Sequence, residues 1–152
     1  MRLSKDGQDF IKSYESLKLR AYPDPKTGGK PWTVGWGHTG SDVAPGVVWT
    51  IQEADDAFLR DALFFEDGVT GLCPNGLTQQ RFDALVSFAF NLGLAKLQSS
   101  TLLKLYKAGN YTGAANELLR WVSPGTNVEA GLRKRRTAER DIFLNNRYVM
   151  HK

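Results

Sequence analysis

The chain has 152 residues, 41% of them hydrophobic and 24% charged. That suits one folded unit with a real core, or two lobes sharing one, and gives no sign of disorder or low complexity. The net charge of +4 favours a polyanionic partner, and nucleic acid, anionic membranes and bacterial cell wall all qualify. Cys73 is the only cysteine, which excludes an intramolecular disulfide, and two histidines beside it argue against a His/Cys zinc site.

The longest apolar stretch, Ala84 to Leu92, is far too short to span a bilayer. Residues 1–8 carry no hydrophobic run of the signal-peptide kind. The expectation is a chain made in a cytoplasm, with no export signal of its own and no stable membrane anchor.

Ser4 is placed to cap a first helix running to about Ser16, with Phe10, Ile11, Tyr14 and Leu17 as its apolar stripe. Glu15 lies beside that stripe at the C-terminal end, the less favourable end for a negative charge. Residues 19–40 read as strands and turns: an extended run from Leu19 through Tyr22, turn signals at Asp24-Pro25 and Thr27-Gly28-Gly29, then a strand over Trp32–His38. Strict alternation in that strand puts Trp32, Val34, Trp36 and His38 on one face, and Thr33, Gly35 and Gly37 on the other. Glycine in a strand marks a place where a ligand or another backbone comes close.

Thr50-Ile51-Gln52-Glu53 spells a capping box, and a long helix should follow to about residue 67, where Gly68, Gly71, Pro74 and Gly76 break the pattern. The break is a natural seam between lobes. Thr78 caps the next helix, about 79–92, whose apolar residues surround most of its circumference; such a helix is buried. Gly93 fits as its terminator. Shorter helices follow at about 101–108, 111–122 and 129–145. The class is α+β: a small strand-containing N-terminal lobe of about 14–66, a long connecting helix, and a helical C-terminal lobe of about 67–152 that also takes the first helix.

Glu15, Asp24 and Thr33 are spaced nine residues apart on a helix end, a turn and a strand, and can face one cleft. Two carboxyls across a sugar-sized gap are what glycoside hydrolysis needs. A carboxyl among apolar neighbours is poorly solvated and can act as an acid near neutral pH. For each residue taken alone the plain reading stands beside this one: a solvated helix glutamate, turn chemistry, an ordinary strand threonine. His38 reads as a buried or salt-bridged histidine closing the hairpin. The basic run Arg133-Lys134-Arg135-Arg136 reads by default as a solvated face, with one arginine free to turn inward to a carboxylate; no nucleic-acid-binding motif surrounds it. No nucleophile elbow and no phosphate loop is present.

Glu15-x8-Asp24 followed by Trp32-Thr33-Val34-Gly35-Trp36-Gly37-His38-Thr39-Gly40 resembles the active-site signature of the phage-type lysozymes, glycoside hydrolase family 24. Leu77–Gly93 is similar to that family's central helix, and Ser100-Thr101-Leu102-Leu103, Arg120-Trp121 and Gly131–Arg136 match as well, so the resemblance covers essentially the whole chain. It implies a lysozyme-like fold in a single catalytic domain over 1–152, and an enzyme hydrolysing the β-1,4 bond between N-acetylmuramic acid and N-acetylglucosamine in peptidoglycan. By position, Glu15 is the general acid, Asp24 the carboxylate that activates or steers water, and Thr33 a holder of that water. Phe90 and Asn91 match a substrate-facing part of the cleft. Arg135 matches an ion-pair partner of the acid, and His38 a structural histidine. The Asp24–Thr33 stretch is a few residues longer than in the best-known members.

The resemblance further implies an inverting hydrolase without metal or cofactor, acting as a monomer on glycan strands and not on nucleic acid. The enzyme would serve host cell lysis, made in the host bacterial cytoplasm and reaching the wall through a holin-type pore. A lytic transglycosylase and a non-catalytic peptidoglycan-binding module stay open as alternatives; the trio Glu15, Asp24 and Thr33 argues against the binding module, and the second carboxylate, Asp24, favours hydrolysis over transglycosylation.

Overall fold

Helix α1 spans Lys5–Glu15 and starts as its sequence predicts, with Ser4 Oγ accepting the Gly7 N–H at 2.9 Å. The computed structural model describes all residues, Met1–Lys152. The helix buries Phe10 and Ile11 and stops at Ser16, whose φ of 51° lies in the left-handed region. A non-glycine residue there costs about 1 kcal/mol, and the kink turns the chain directly into strand β1, Lys18–Tyr22. Glu15 therefore sits where helix gives way to sheet.

The sheet has three antiparallel strands in the order β1-β2-β3, with β2 at Thr33–Gly35 and β3 at His38–Thr39. Tyr22 pairs with Thr33 and Lys18 with Gly35, with an irregularity between them; Val34 pairs with His38. The single strand expected over 32–38 is thus a hairpin, and Trp36 lies in its turn rather than on a strand face. Glycines flanking Trp36 take φ of 69° at Gly35 and 86° at Gly37; that turn chemistry overrides the period-two pattern. Residues 47–49 cover the other edge of β1, where Trp49 N–H donates to Leu19 O at 2.8 Å. Ala21, Val34 and Val43, with Trp32, Val47 and Trp49 around them, form a small apolar cluster on the sheet.

Helix α2, Ile51–Leu72, opens on both halves of the capping box. At 22 residues it is about 33 Å long. It does not stop near residue 67 but runs through Gly68 and Gly71. The reason is packing: a Cβ on Gly68 would lie 2.2 Å from Leu94 Cδ1. Leu94 belongs to a short helix α4, Leu94–Gln98, which its sequence did not announce. The break falls at residues 73–76.

Helix α3, Gln79–Leu92, is the centre of the main core: every residue from Phe82 to Ala89 is buried. Around it lie α5 (Thr101–Lys107), α6 (Tyr111–Glu117), a 3-10 turn at Leu118–Arg120 where helix was expected to continue to 122, and α7 (Glu129–Asn145). Phe10 and Ile11 of α1 join this cluster, as do Phe58, Ala62 and Val69 of α2. No helix is long and apolar enough to cross a membrane.

One buried carboxylate ties both chain ends to this core. Asp83, on α3 and 1% exposed, accepts the Ser4 N–H at 3.2 Å, the Ser4 hydroxyl, Gln79 Nε2 at 2.9 Å and the Tyr148 hydroxyl at 2.6 Å. Asp83→Ala strips these donors of their acceptor, at a cost of about 3 kcal/mol. The expected result is a lower urea midpoint with an unchanged m value.

Candidate active site

Glu15 leaves α1 beside two partners contributed by distant parts of the chain. Arg135 Nη1 donates to its Oε1 at 2.8 Å. Its Oε2 lies over Gly37, where an added Cβ would stand 3.0 Å from it. Gly37 is thus a place of close approach, but at a hairpin turn and not on the strand face expected, and the approaching group is the Glu15 carboxylate itself. With 20% of its side chain exposed, Glu15 has one oxygen tied to a buried cation and the other at the edge of the hairpin.

The basic run on α7 divides. Arg133 is exposed and pairs with Glu129 at 2.7 Å, and Lys134 is exposed. Arg135 and Arg136 are both buried, so two arginines turn inward and the solvated basic face is only half of what the sequence suggested. Helical spacing was the signal available: Arg135, Ala138 and Ile142 recur at i, i+3, i+7, the spacing of a core-facing stripe. Arg135 Nη2 also donates to Ser87 O and Oγ, each at 3.3 Å. Arg136 Nη2 donates to Asn91 Oδ1 at 2.8 Å and to Glu139 Oε2 at 3.1 Å.

Asp24 lies two residues beyond the Tyr22–Thr33 pair, outside strand β1. Its position comes from its own turn. The backbone N–H donates to Gly29 O at 2.9 Å, the carbonyl accepts from Gly28 N at 2.8 Å, and Oδ1 accepts from Lys26 N at 3.0 Å. Gly28 takes φ 72° to close it. Oδ2 of Asp24 and the Thr33 hydroxyl make no hydrogen bond within the protein and are open to a ligand or water. The register pairs Thr33 with Tyr22, two residues before Asp24, and Glu15 meets the glycine-flanked turn at the other end of β2.

Phe90 lines a cavity of about 370 Å³ together with Gly37, Thr39, Arg60, Asp61, Phe64 and Phe65. Gly37 is shared by this cavity and the Glu15 contact, while Glu15, Asp24, Thr33 and Asn91 do not line the cavity. Phe90 also packs on Phe58 and Phe65, with ring centroids 5.4 and 5.3 Å apart. Asn91 is held differently from its neighbour: its carbonyl oxygen is taken by Arg136. Phe64 and Arg60, on α2, were not singled out in the sequence, because an exposed Phe and an exposed Arg on an amphipathic helix carry no signal of their own.

The phage lysozyme family model matches residues 12–139. The chain belongs to the phage lysozyme family. It is 47% identical over 144 residues to an endolysin of Bacillus phage B103, an alignment covering 95% of this chain and 54% of that one. The chain thus spans about half the length of the Bacillus phage relatives it matches. An endolysin from Escherichia coli O157:H7 phage FAHEc1 superposes with a TM-score of 0.88 at 35% identity, covering 98% of this chain and 97% of that chain. The muramidase domain of SpmX from Asticaccaulis excentricus gives 0.86 at 36% identity, covering 95% and 98%.

In this member of the phage lysozyme family, His38 closes the hairpin onto α2. Nδ1 lies 2.8 Å from Asp61 Oδ2 and Nε2 lies 2.9 Å from Asp42 Oδ1. The ring also packs at a tilt against Trp49, with centroids 5.4 Å apart. Both ring nitrogens are taken, which leaves neither for proton transfer to a ligand. Burial disfavours the imidazolium, but the hydrogen bonds and charges of Asp42 and Asp61 outweigh it and raise the His38 pKa; the His38 contact in turn lowers that of Asp42.

The raised value means that the His38 contribution is fully present below the unfolded-state pKa of about 6.5. It is lost as pH climbs through the folded-state value. The Asp42 contribution has the opposite sign: present above about 3.9, lost as pH falls through its lowered value. Thermal denaturation across pH should show stability declining above neutrality in the wild type. In His38→Gln that decline should flatten.

Proposed function

We propose that the cleft beside Glu15 is the catalytic centre of a muramidase that hydrolyses the β-1,4 bond between N-acetylmuramic acid and N-acetylglucosamine, with residues 1–152 as one catalytic unit of two lobes. The observation that carries this reading is the Glu15 carboxylate: anchored by Arg135 through one oxygen, and placed by the other over Gly37, a residue that lines an open cavity. A surface glutamate has no need of a buried arginine drawn from 120 residues away.

In the proposed reaction Glu15, protonated, donates its proton to the glycosidic oxygen as that bond breaks and an oxocarbenium-like centre forms. Asp24 takes a proton from a water molecule that the Thr33 hydroxyl helps hold, and the water oxygen bonds to the anomeric carbon from the opposite face. The product is inverted, and each carboxyl ends in the other's starting protonation state. The unpartnered Asp24 Oδ2 and Thr33 hydroxyl suit that task. Phe90 offers an apolar wall to a sugar ring. Asn91 contributes through its amide nitrogen, since its oxygen is occupied. Arg135 orients Glu15, and His38 holds the hairpin in place.

The substrate in this reading is peptidoglycan, and the biological setting is host cell lysis for phage release. The enzyme acts as a monomer, begins in the host cytoplasm, and gains the wall through a holin-type pore made by another protein. No cofactor enters any step.

Release of reducing ends from purified peptidoglycan tests the activity, and mass spectrometry excludes or reveals the anhydro-sugar of a transglycosylase. The anomer first formed, read by NMR, tests inversion. Glu15→Gln should lose about 10²–10⁴-fold in rate with the fold intact; full activity in that variant would end the assignment. Gly37→Ala places a methyl against Glu15 Oε2 at a left-handed position. It should cost on the order of tenfold or more in kcat and about 1 kcal/mol in stability, read by kinetics and denaturation together.

A further inference from the structure

Behind Arg135 lies a second pair of charges that the proposed reaction does not use. Glu139 and Arg136 are both wholly buried on α7. Glu139 Oε2 accepts from Arg136 Nη2 at 3.1 Å and from the Ser87 hydroxyl at 2.5 Å, and stands 3.4 Å from Arg135 Nε. Arg136 Nε is 2.8 Å from Glu139 Oε1 but out of line for a hydrogen bond, so that contact is charge pairing alone. One carboxylate thus faces both guanidinium groups. Through them it reaches Glu15 on one side and Asn91 on the other.

The groups facing this cluster are few. From α1 come Glu15 and the Tyr14 ring, 5.4 Å from the Arg135 guanidinium; from α3 come Ser87, Asn91 and the Phe88 ring, 5.2 Å from that of Arg136. The interior holds two cations and one anion, and Glu15 at the cleft edge is the second anion. The set is neutral only while Glu15 is ionised. Protonating Glu15, which the proposed reaction demands, leaves an excess of one positive charge among apolar residues. Without Glu139 the excess would be two.

We propose that Glu139 is a positioning residue for the reaction: from inside the helical core it holds Arg135 on Glu15 and Arg136 on Asn91, and its charge sets how far toward alkaline pH the reaction runs. The inference rests on the muramidase reading of Glu15. It goes beyond that reading in assigning work to a residue that touches neither substrate nor water.

The test is the pH dependence of kcat on purified peptidoglycan for the wild type, Glu139→Gln, Arg136→Gln and the double variant, each with a melting curve. A wild type without reducing-end release would defeat the muramidase reading itself; with wild-type activity present, only the role of Glu139 is at stake. Glu139→Gln removes an anion and should move the alkaline limb to lower pH by about 1 unit or more. Arg136→Gln removes a cation and should move it upward. The double variant restores the charge balance and should return the limb to the wild-type position. A structural role alone would lower melting temperatures and leave every limb where it was, and that result overturns the proposal. Should Glu139→Gln fail to fold, the other two variants decide. Arg136→Gln shifted upward with the double variant at the wild-type position supports the proposal; any other pattern in that pair refutes it.

Discussion

The ion pair between Arg135 and Glu15 is the interaction on which the geometry of the cleft depends. It joins the last residue of α1 to a helix 120 residues further on, and strand β1 begins three residues after Glu15. The sheet therefore hangs from a point that the helical core holds. Taking an arginine out of water costs several kcal/mol, and mutual attraction repays this only when the remaining donors are also met. Here Ser87 takes one nitrogen and Glu15 another, while the third, Nε, has only the charge of Glu139 at 3.4 Å and no hydrogen bond. An apolar pair of similar volume could pack as well. What it could not do is aim a carboxylate.

The hairpin answers the same constraint from the other side. Any side chain at residue 37 would meet Glu15 Oε2, and a glycine there lets the turn close at φ 86° while the carboxylate lies against it. Trp36, thrown out of the strand by its flanking glycines, finds a second use. Its Nε1 donates to Asp55 Oδ1 at 2.8 Å, and Lys12 of α1 reaches the same oxygen at 3.1 Å. The hairpin is thereby latched to α1 and α2 at once. His38, two residues on, adds a further link to α2 through Asp61. Small residues make room for Glu15, and large ones on either side hold the room open.

Much of this was legible where a feature depends on a few neighbouring residues. The Thr50–Glu53 capping box, the Ser4 and Thr78 caps and the all-round apolar α3 each express local chemistry, and each formed as read. The elements that went astray depend on contacts between distant residues. Gly68 looks like a helix breaker until Leu94 is known to pack against it. The five-residue α4 has too few turns to show a period. Arg136 looks solvated until Glu139 and Asn91 are placed around it. Trp36 was misplaced for a different reason: alternation and turn chemistry competed over the same seven residues, and two positive-φ glycines decided for the turn. At the candidate site, type and spacing pointed to Glu15, Asp24 and Thr33, but the network behind Glu15 had no local sign beyond the helical spacing of Arg135 on a core stripe.

The two carboxylates are held by contrasting means, and the contrast matches the division of labour in the proposed reaction. Glu15 is fixed by long-range contacts: a buried cation, a close glycine, a helix end under backbone strain at Ser16. Such a group has a set direction, which a direct proton donor needs because the glycosidic oxygen must lie within hydrogen-bond reach of it. Asp24 is fixed only by the hydrogen bonds of its own turn, and one of its oxygens is free. A base that works through an intervening water can tolerate that looser hold, because the water takes up part of the distance. Lengthening the segment between Asp24 and Thr33 is then less disruptive than any change behind Glu15 would be. The turn Asp24–Gly29 closes on itself through the Asp24–Gly29 and Asp24–Gly28 bonds, and the pairing of Tyr22 with Thr33 keeps its base in register, so added residues extend the tip without moving Asp24 or Thr33.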